Sequence, residues 1–319
     1  MRAGAVTLAD HVNADRDALF CSDFLDLATF VGLRPDFAVV PKIVYCHENQ
    51  LTYPLQDESL RDYHFAFTNI TTCLAADRVL FNSRYHRETF LEAIPSFLKR
   101  MPDHRPEKVV ERIAARSEVL YPGVDMTAID AARTARRPGR EGPLTILWNH
   151  RWEYDKAPET FFHALFALAD EDADFRVCVL GERFRDSPAI FSKAQERLRR
   201  RIVQFGFARD RREYADWLAR CDVAVSTAIH EFFGVAMIEA MAAGCCPLLP
   251  DRLTYPELLP ETHHATHLYA NERDLLDRLR ALVVDPAIAR SVDLRSDMSP
   301  FEWTYAAPRF DRIFERLCE

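Results

Sequence analysis

Glycine and paired cysteines are scarce in this 319-residue sequence. It has only 9 glycines, and no strand-like segment is followed by the G-x-G-x-x-G spacing of a dinucleotide loop, which argues against a nicotinamide-dependent enzyme. Its 8 cysteines are scattered without C-x-x-C pairs, so the sequence indicates neither a zinc site nor a disulfide framework. Reduced thiols in a cytoplasmic protein are the simpler interpretation.

Long hydrophobic runs are missing as well. No segment approaches the roughly 18 apolar residues of a membrane span, and the start of the chain lacks the charged-then-apolar layout of a secretion signal. The formal net charge of −8 argues against a nucleic-acid binder that works by bulk charge. We therefore predict a cytoplasmic protein without a membrane partner, and nothing in the sequence indicates an oligomeric state.

Arginine is nevertheless clustered in three places, at residues 133–140, 197–201 and 209–212. Clusters of this kind are most often solvated faces. An RNA partner would still need basic side chains of this sort, because contacts with phosphate supply most of the non-specific affinity for RNA. Composition alone leaves both interpretations open.

Alternating strands and helices fill the second half of the chain. Short apolar runs are separated there by amphipathic segments, and these runs are LTILWNH, FRVCVLG, RIVQFGF, DVAVST and CCPLLP. Such alternation is typical of βαβ units around a parallel sheet. We therefore predict one complete doubly wound domain at residues 142–300.

The first half contains fewer strand-like runs, namely VPKIVYCHE, DRVLFNS and SEVLYPG. We predict an α/β protein with two Rossmann-like domains, the first at residues 1–130 and incomplete at its N-terminus. The segment RTARRPGREG, which contains Pro138 and Gly139, is the predicted linker. The period of an amphipathic helix at residues 301–319 predicts a helix that packs back across the domain boundary.

Two carboxylates, Glu231 and Glu239, stand in the otherwise apolar stretch HEFFGVAMIEAMAAGCC. An isolated buried carboxylate is costly, so each should have a partner or a function. The sequence offers no cationic neighbour within a helical turn, which predicts a partner that is not protein. The helix that opens at Gly234 would present free N–H groups and the positive end of its dipole, which suit phosphate.

Two cations fall at the same predicted edge of the sheet. The segment NHRWEYDK, after the first strand of the second domain, supplies Arg151 and Lys156. Taken alone, these are surface cations in a loop. Ligands of open α/β sheets, however, bind beyond the carboxyl ends of the strands, where the cations, the helix start and the carboxylates would meet. Cations and N–H groups suit a diphosphate, and carboxylates suit the hydroxyl groups of sugar and ribose.

This constellation resembles a known donor site. Arg151, Lys156 and the segment E-FFGVAMI-E are similar to the site of retaining glycosyltransferases with the GT-B fold, in which two Rossmann-like domains face a cleft. Several segments together resemble the tRNA-queuosine mannosyltransferase subfamily over nearly the whole chain: YCHENQLTYP, FNSRYHRETF, MPDHRP, HRWEYDKAPETFF and HEFFGVAMIEAMAAGCCPL.

The resemblance implies a donor-binding role for five residues. Arg151 and Lys156 would stabilise the leaving diphosphate. Gly234 and Val235 would offer N–H groups to the distal phosphate or to the sugar, and Glu239 would hold the ribose.

The resemblance also implies catalytic and acceptor residues. Glu231 would hold the hydroxyl groups of the donor sugar, and His47, at the end of the strand KIVYC, would face that sugar. Asn49, Gln50 and Tyr53 follow in the same loop and would meet the acceptor.

The reaction implied by the resemblance is retaining transfer of mannose from GDP-mannose to a hydroxyl of queuosine in tRNA. A nucleotide sugar would be the co-substrate, with no cofactor. Residue chemistry alone distinguishes neither the donor base nor the acceptor. The alternatives are a glycosyltransferase with another acceptor and a truncated, non-catalytic binder of nucleotide sugar or RNA. Because family members begin with a further strand and a glycine-containing loop, we expect an in-frame extension upstream of Met1.

One segment, ADEDADF, mimics the D-x-D pattern of metal-dependent transferases with Asp170, Asp172 and Asp174. This turn precedes the strand FRVCVLG, so it would lie at the amino end of the sheet, away from the predicted site. We predict a solvated turn and no metal site.

Overall fold

The computed structural model describes residues 1–12, 17–54, 62–102, 105–135, 141–182 and 187–318. The chain divides into two compact units. Unit 1 comprises Met1–Pro122 and Ala306–Glu319, and unit 2 comprises Gly123–Tyr305. Each unit contains helices and a parallel sheet, so the predicted α/β class with two Rossmann-like domains is confirmed.

Ten strands form the two sheets within the described residues. They are β1 (Leu19–Ser22), β2 (Lys42–Cys46), β3 (Arg78–Phe81), β4 (Ser117–Val119), β5 (Leu144–Asn149), β6 (Phe175–Leu180), β7 (Ile202–Gly206), β8 (Val223–Val225), β9 (Cys246–Pro250) and β10 (Leu268–Tyr269).

The α-helices alternate with these strands. They are α1 (Arg2–Ala9), α2 (Leu27–Leu33), α3 (Tyr63–Ala75), α4 (Arg84–Leu98), α5 (Val109–Ala114), α6 (Thr127–Thr134), α7 (Pro158–Asp170), α8 (Ile190–Arg197), α9 (Arg211–Arg220), α10 (Val235–Ala242), α11 (His264–His267), α12 (Glu272–Val284), α13 (Pro286–Arg290) and α14 (Trp303–Cys318). Short 3₁₀ helices cover Pro35–Ala38, Tyr154–Lys156, Tyr255–Leu258, Glu261–His263 and Ser296–Phe301.

The sheet of unit 1 has the order β1-β2-β3-β4, with every neighbouring pair parallel. All five residues of β2 are buried, as expected of a parallel strand covered on both faces. The sequence did not predict β1, which has four residues, lies at one end of this order and has no fully buried side chain. A short edge strand gives little hydrophobic signal. The expected missing N-terminal strand stays a prediction.

The sheet of unit 2 has the order β10-β9-β8-β5-β6-β7, again with parallel pairs. This is the doubly wound order, in which the direction of winding reverses between β5 and β8. Aromatic side chains fill the core beside β5: Trp148 stacks with Phe161 at 6.1 Å between ring centroids and contacts Phe191 edge-on at 5.6 Å. The loops after β5 and β8 therefore leave the sheet at the place where such folds bind ligands.

Local sequence fixes the start of α9, which carries part of the site. Asp210 is the N-cap residue, and its Oδ1 accepts the N–H of Glu213 at 2.8 Å. Glu213 in turn accepts the N–H of Arg209 at 2.7 Å, an arrangement close to a capping box. The cap orients α9 so that Ala215 and Leu218 are buried.

The unit boundaries differ from the predicted ones. The predicted linker lies partly outside the described residues, at 136–140, and its first residues, Arg133–Thr134, belong to α6. α6 packs on α9, and Asp130 accepts two bonds from Arg295 at 2.6 and 2.7 Å. These contacts make α6 part of unit 2. Unit 1 ends at Pro122 and unit 2 begins at Gly123, so residues 123–130 lie in unit 2 and not in the first domain.

The C-terminal helix α14 completes the core of unit 1. Ile313 is buried with Ile43, Tyr45, Leu80 and Leu120, and further apolar residues of α14 pack against that cluster: Phe310, Phe314 and Leu317. The apolar residues of α14 recur with the helical period that the sequence shows at 301–319. The last residues of the chain thus cover a sheet formed by its first third.

We expect Ile313→Ala to lower the free energy of unfolding by about 2–5 kcal/mol, because it leaves a cavity between α14 and the sheet. Chemical denaturation followed by tryptophan and tyrosine fluorescence measures the change. The matched control is Glu315→Ala on the exposed side of the same helix, which should change stability by less than about 0.5 kcal/mol. Equal effects of the two substitutions would contradict the packing described.

Candidate active site

Lys156 forms the main polar contacts of the loop that follows β5. It ends a 3₁₀ helix, and its side chain is only 8% exposed. Its Nζ donates to the carbonyl oxygen of His230 at 2.8 Å and lies 2.9 Å from Oδ2 of Asp155 and 3.5 Å from Oε2 of Glu231. The structure therefore brings the predicted Lys156 and Glu231 together, although 75 positions separate them in sequence.

Electrostatics keep both members of this pair charged. Burial acts to lower the pKa of Lys156, but Glu231 and Asp155 outweigh it and raise the pKa above its usual value. Burial acts to raise the pKa of Glu231, but Lys156 and nearby hydrogen-bond donors hold it below its usual value. A buried pair of opposite charges is maintained only with such additional hydrogen bonds.

Arg151 is more exposed than Lys156. Its side chain is 55% exposed and forms an ion pair with Glu153 at 3.2 Å. The charge of Arg151 acts to lower the pKa of Lys156, so the two cations share one electrostatic environment. Arg151 is free to reorient toward a ligand at little cost, because an exposed ion pair contributes little stability.

The start of α10 has the conformation that its glycine predicts. Gly234 precedes the helix with φ +83°, and a Cβ placed there would lie 3.0 Å from Cδ1 of Leu258. Any other residue would be strained in this conformation. The N–H of Phe233 donates to Glu231 at 3.4 Å, and Val235, the first residue of the helix, is 46% exposed. The N-terminal N–H groups of α10 thus lie beside Glu231.

Glu239, on the buried side of α10, has protein partners. Nη1 of Arg211 lies 2.7 Å from its Oε1, and the hydroxyl of Tyr214 donates to its Oε2 at 2.8 Å. Together with the Lys156–Glu231 pair, this corrects the prediction that the partner of each carboxylate is not protein. The partners were missed because they come from α9 and from the loop after β5, far from either carboxylate in sequence.

A cavity of about 450 Å³ lies beside Glu239. It is lined by the ends of β5 and β6, the loop before α9, and residues of α9 and α10: Asn149, Leu180, Gly181, Phe207, Ala208, Arg209, Asp210, Arg211, Tyr214 and Glu239. Gly181 has φ +146°, and a Cβ there would meet the carbonyl oxygen of His150 at 1.9 Å, so glycine is required. Arg151, Lys156 and Glu231 are not among the lining residues.

Hydrogen bonds connect the cavity to the switch point of the sheet. Nδ2 of Asn149 donates to the hydroxyl of Tyr214 at 3.0 Å and to the carbonyl oxygen of Ala236 at 2.9 Å. Burial, followed by the charge of Glu239, raises the pKa of Tyr214 well above its usual value. Tyr214 therefore stays a neutral donor. The hydrogen bonds from Asn149 to Tyr214 and from Tyr214 to Glu239 hold Oε2 of Glu239 in place.

The predicted residues of unit 1 follow strand β2. His47 directly follows β2, and its N–H donates to Oδ1 of Asp23 at 2.8 Å. The ring of His47 lies 4.8 Å from that of Tyr45, and burial lowers the pKa of the imidazole. Asp23 was missed because it follows the unrecognised strand β1. Burial raises the pKa of its carboxyl to about 7.

The predicted acceptor residues do not all face outward. Asn49 is 1% exposed, and its Oδ1 accepts the N–H groups of Leu51 and Thr52, both at 3.0 Å. The Oδ1 atom of Asn49 therefore forms the turn, and contact of this residue with the acceptor stays a prediction. Gln50 and Tyr53 are only partly buried, so a role in acceptor binding stays a prediction for them.

The D-x-D candidate has the position that the sequence predicts. Asp170 ends α7 and forms an ion pair with Arg197 at 2.5 Å, and Asp172 has φ +55° in the turn before β6. Among the residues that the structure describes, no group of three or more His, Cys, Asp or Glu side chains could hold a metal ion. In the same part of the chain, no helix has the length and apolar character needed to cross a membrane.

Two family models match adjoining parts of the chain. Residues 1–124 match the N-terminal domain of tRNA-queuosine alpha-mannosyltransferase, and residues 132–300 match glycosyl transferases group 1. The tRNA-queuosine alpha-mannosyltransferase of Drosophila melanogaster is 38% identical over 277 residues, which cover 85% of this chain and 72% of that protein. The chain belongs to the tRNA-queuosine alpha-mannosyltransferase family. It is a glycosyltransferase, as the resemblance predicted.

The chain is also similar to more distant relatives and to solved structures. A GDP-mannose:cellobiosyl-diphosphopolyprenol alpha-mannosyltransferase of Xanthomonas campestris is 25% identical over 201 residues, 61% of this chain and 52% of that protein. Sucrose-phosphate synthase from Thermosynechococcus elongatus superposes with a TM-score of 0.71 at 19% identity, over 98% of this chain and 76% of that one. Anabaena HepE in complex with UDP gives 0.72 at 15% identity, over 98% and 82%. These structures show that this member of the tRNA-queuosine alpha-mannosyltransferase family has the GT-B fold.

Acid should destabilise this family member through His150. Burial, followed by the charge of Lys156, lowers the pKa of His150 to about 4. A histidine whose folded-state pKa is depressed contributes stability above about pH 6.5, and the contribution is lost as the pH falls toward 4. We expect a loss of up to about 3 kcal/mol over this range.

Denaturation at a series of pH values tests this. His150→Gln should flatten the fall in unfolding free energy between pH 7 and 4, because glutamine does not titrate there. His163→Gln, at an exposed position of α7, is the control and should keep the wild-type slope. An unchanged slope in His150→Gln would contradict the assignment.

Proposed function

We propose that this chain transfers mannose from GDP-mannose to a hydroxyl of queuosine in tRNA, with retention of the anomeric configuration. Support for the acceptor comes from family membership over most of the chain. Support for the donor comes from relatives whose names specify GDP-mannose, including the Xanthomonas campestris protein. The observation that carries the proposal is the buried contact of Lys156 with Glu231 beside the start of α10.

Lys156 and Arg151 are the proposed ligands of the donor diphosphate. Lys156 is held in place by the His230 carbonyl group and the Asp155 carboxylate, so its charge is already oriented when the donor arrives. Arg151 can donate two parallel hydrogen bonds to phosphate oxygens, whereas Lys156 acts as a point charge. Together they would stabilise the negative charge that develops on the leaving oxygen.

Glu231 is the proposed contact for the hydroxyl groups of mannose. It lies between Lys156 and the N-terminal N–H groups of α10, so sugar and diphosphate would bind side by side. In this arrangement, the bond between the anomeric carbon and the diphosphate breaks as the queuosine oxygen forms its bond on the same face. The acceptor proton passes to a diphosphate oxygen, and mannosyl-queuosine and GDP are the products.

Glu239 is the proposed ribose ligand, and it can keep its protein partners. A carboxylate has about four acceptor positions. Arg211 occupies one position on Oε1 and Tyr214 one on Oε2, so each oxygen retains capacity for a ribose hydroxyl. The cavity of about 450 Å³ beside Glu239 would then hold the nucleoside, with the base near the loop that contains Phe207 and Arg209.

A donor screen tests the proposed reaction. The protein is incubated with GDP-mannose, UDP-glucose or UDP-galactose and with total tRNA that contains or lacks queuosine. We expect sugar incorporation only with GDP-mannose and queuosine-containing tRNA. Incorporation that does not depend on queuosine would point to another acceptor. Binding of the nucleotide sugar without any transfer or hydrolysis would favour a non-catalytic binder.

Lys156→Ala should reduce kcat by about 100-fold or more, because one preorganised donor to the developing charge is removed. Rates of GDP release with saturating tRNA measure the effect. Lys193→Ala, on the exposed side of α8, removes the same charge outside the site and should leave the rate unchanged. A Lys156→Ala enzyme with wild-type kcat would exclude the proposed role.

Glu239→Gln should weaken GDP binding by about 10- to 100-fold, since a hydrogen bond to a charged group contributes about 1.5–3 kcal/mol. Calorimetry with GDP gives the dissociation constant. The control is Glu196→Gln at an exposed position of α8, which should bind GDP like the wild type. If the two variants bind GDP equally, the ribose is held elsewhere.

The cellular location of this reaction is part of the proposal. Because the acceptor is tRNA, we infer that the protein acts in the cytoplasm.

A further inference from the structure

Two neighbouring cavities in unit 1 lie outside the donor site. One, of about 280 Å³, is formed by the start of β3, the beginning of β4 and α14, and the other, of about 270 Å³, runs along β4 and α14. They share Glu118, Ile313 and Arg316. Five arginines line the pair, and we call this surface the arginine groove: Arg78, Arg116, Arg309, Arg312 and Arg316.

Three of these arginines occupy one side of α14. At about 100° per residue, Arg309, Arg312 and Arg316 fall within an arc of roughly 60°. The acidic residues of the same helix, Asp311 and Glu315, fall on a different side by the same spacing. All three arginines are exposed, and neither Arg312 nor Arg316 forms an ion pair with any residue that the structure describes.

The sheet side of the groove is preorganised. Nη1 of Arg116 donates to the carbonyl oxygens of Leu74 and Ala76 at 3.2 and 2.7 Å, at the end of α3. These bonds fix the guanidinium group while leaving the side chain partly exposed, so less side-chain entropy is lost when it binds a ligand. Glu118 is the sole acidic residue that lines either cavity in the described chain.

This local charge is opposite to that of the whole chain, whose formal net charge is −8. Guanidinium groups in a groove suit phosphate, because each can donate two parallel hydrogen bonds to it. A lipid surface suits the groove less well. Membrane-surface helices insert an exposed apolar face, whereas Phe310, Ile313, Phe314 and Leu317 of α14 pack on the core of unit 1.

We propose that the arginine groove binds the phosphate backbone of the acceptor tRNA. The proposal rests on the proposed function, since it assigns a surface to the acceptor of that reaction. The groove supplies affinity that does not depend on sequence, and the queuosine itself would be recognised elsewhere. None of the three arginine clusters in sequence contributes to it, because each of the five arginines of the groove stands singly, without a basic residue next to it.

The test is a triple variant, Arg309→Ala, Arg312→Ala and Arg316→Ala, in the full chain. Fluorescence anisotropy with unmodified tRNA at 0.1 M salt should show binding weaker by roughly 100-fold. The slope of log K against log salt concentration should fall in magnitude by about 2 to 3, close to one for each phosphate that the variant no longer neutralises. Hydrolysis of GDP-mannose in the absence of tRNA should keep its wild-type rate.

A matched variant removes three arginines from unit 2: Arg199→Ala, Arg200→Ala and Arg273→Ala, all at exposed positions. It should bind tRNA like the wild type. If this variant loses tRNA binding and the triple variant of α14 keeps it, the groove proposal is overturned in favour of the 197–201 cluster. Arg312→Ala with Arg316→Ala alone provides a milder second variant and should retain part of the effect.

Failure of this proposal is distinguishable from failure of the proposed function. If wild-type protein does not mannosylate queuosine-containing tRNA, the proposed function fails before any variant is made, and the groove is judged on tRNA affinity alone. If the wild type transfers mannose and the α14 variant has an unchanged KM for tRNA, only the groove proposal fails. Arginine-dependent binding to phosphatidylserine vesicles, with tRNA affinity unchanged, would assign the groove to lipid and overturn it too.

Discussion

The contact on which the site depends is the one between a nearly buried ammonium group and two carboxylates. Lys156 lies 2.9 Å from Asp155 and 3.5 Å from Glu231, and removal of any one partner would leave a buried charge uncompensated. This mutual dependence holds the loop after β5 against the loop after β8. The charge of Lys156 is therefore already oriented before an anionic ligand binds. Such preorganised charges are the main requirement for electrostatic catalysis.

The topology of unit 2 explains why these groups meet. The winding of the sheet reverses between β5 and β8, which is the place where folds of this type bind ligands, and the loops after these two strands meet there. Two glycines allow close packing around these loops: Gly181 lies against the His150 carbonyl group, and Gly234, at the start of α10, lies against the Leu258 side chain. Asn149, Tyr214 and Glu239 extend the polar network from the switch point of the sheet into the adjoining cavity. Residues from four separate segments thus serve one nucleotide sugar in the proposed reaction.

Elements with strong apolar periodicity could be predicted from the sequence, and those without it could not. The strands of unit 2 from β5 to β9 were found because each is an apolar run between amphipathic helices, although β7 is only partly buried, whereas β1 and the two-residue β10 give no such signal. Lys156 and Glu231 were identified individually, yet their contact was not, because sequence spacing does not report pairing between distant loops. The same limit applies to Glu239, whose partner Arg211 comes from α9. The boundary between the units at Pro122 could not be predicted from the sequence, because the apolar residues Ile129 and Ala132 of α6 would fit the core of either domain.

The position of α14 has a consequence for biosynthesis. Unit 2 is continuous in sequence, so all its strands are available once Tyr305 has left the ribosome. Unit 1 is discontinuous: the apolar face of its sheet around Ile43 and Leu80 lacks its cover until the residues near Ile313 emerge. The part of the chain that is synthesised first is therefore the last to be finished. Its exposed sheet is the surface that a chaperone would have to shield during translation.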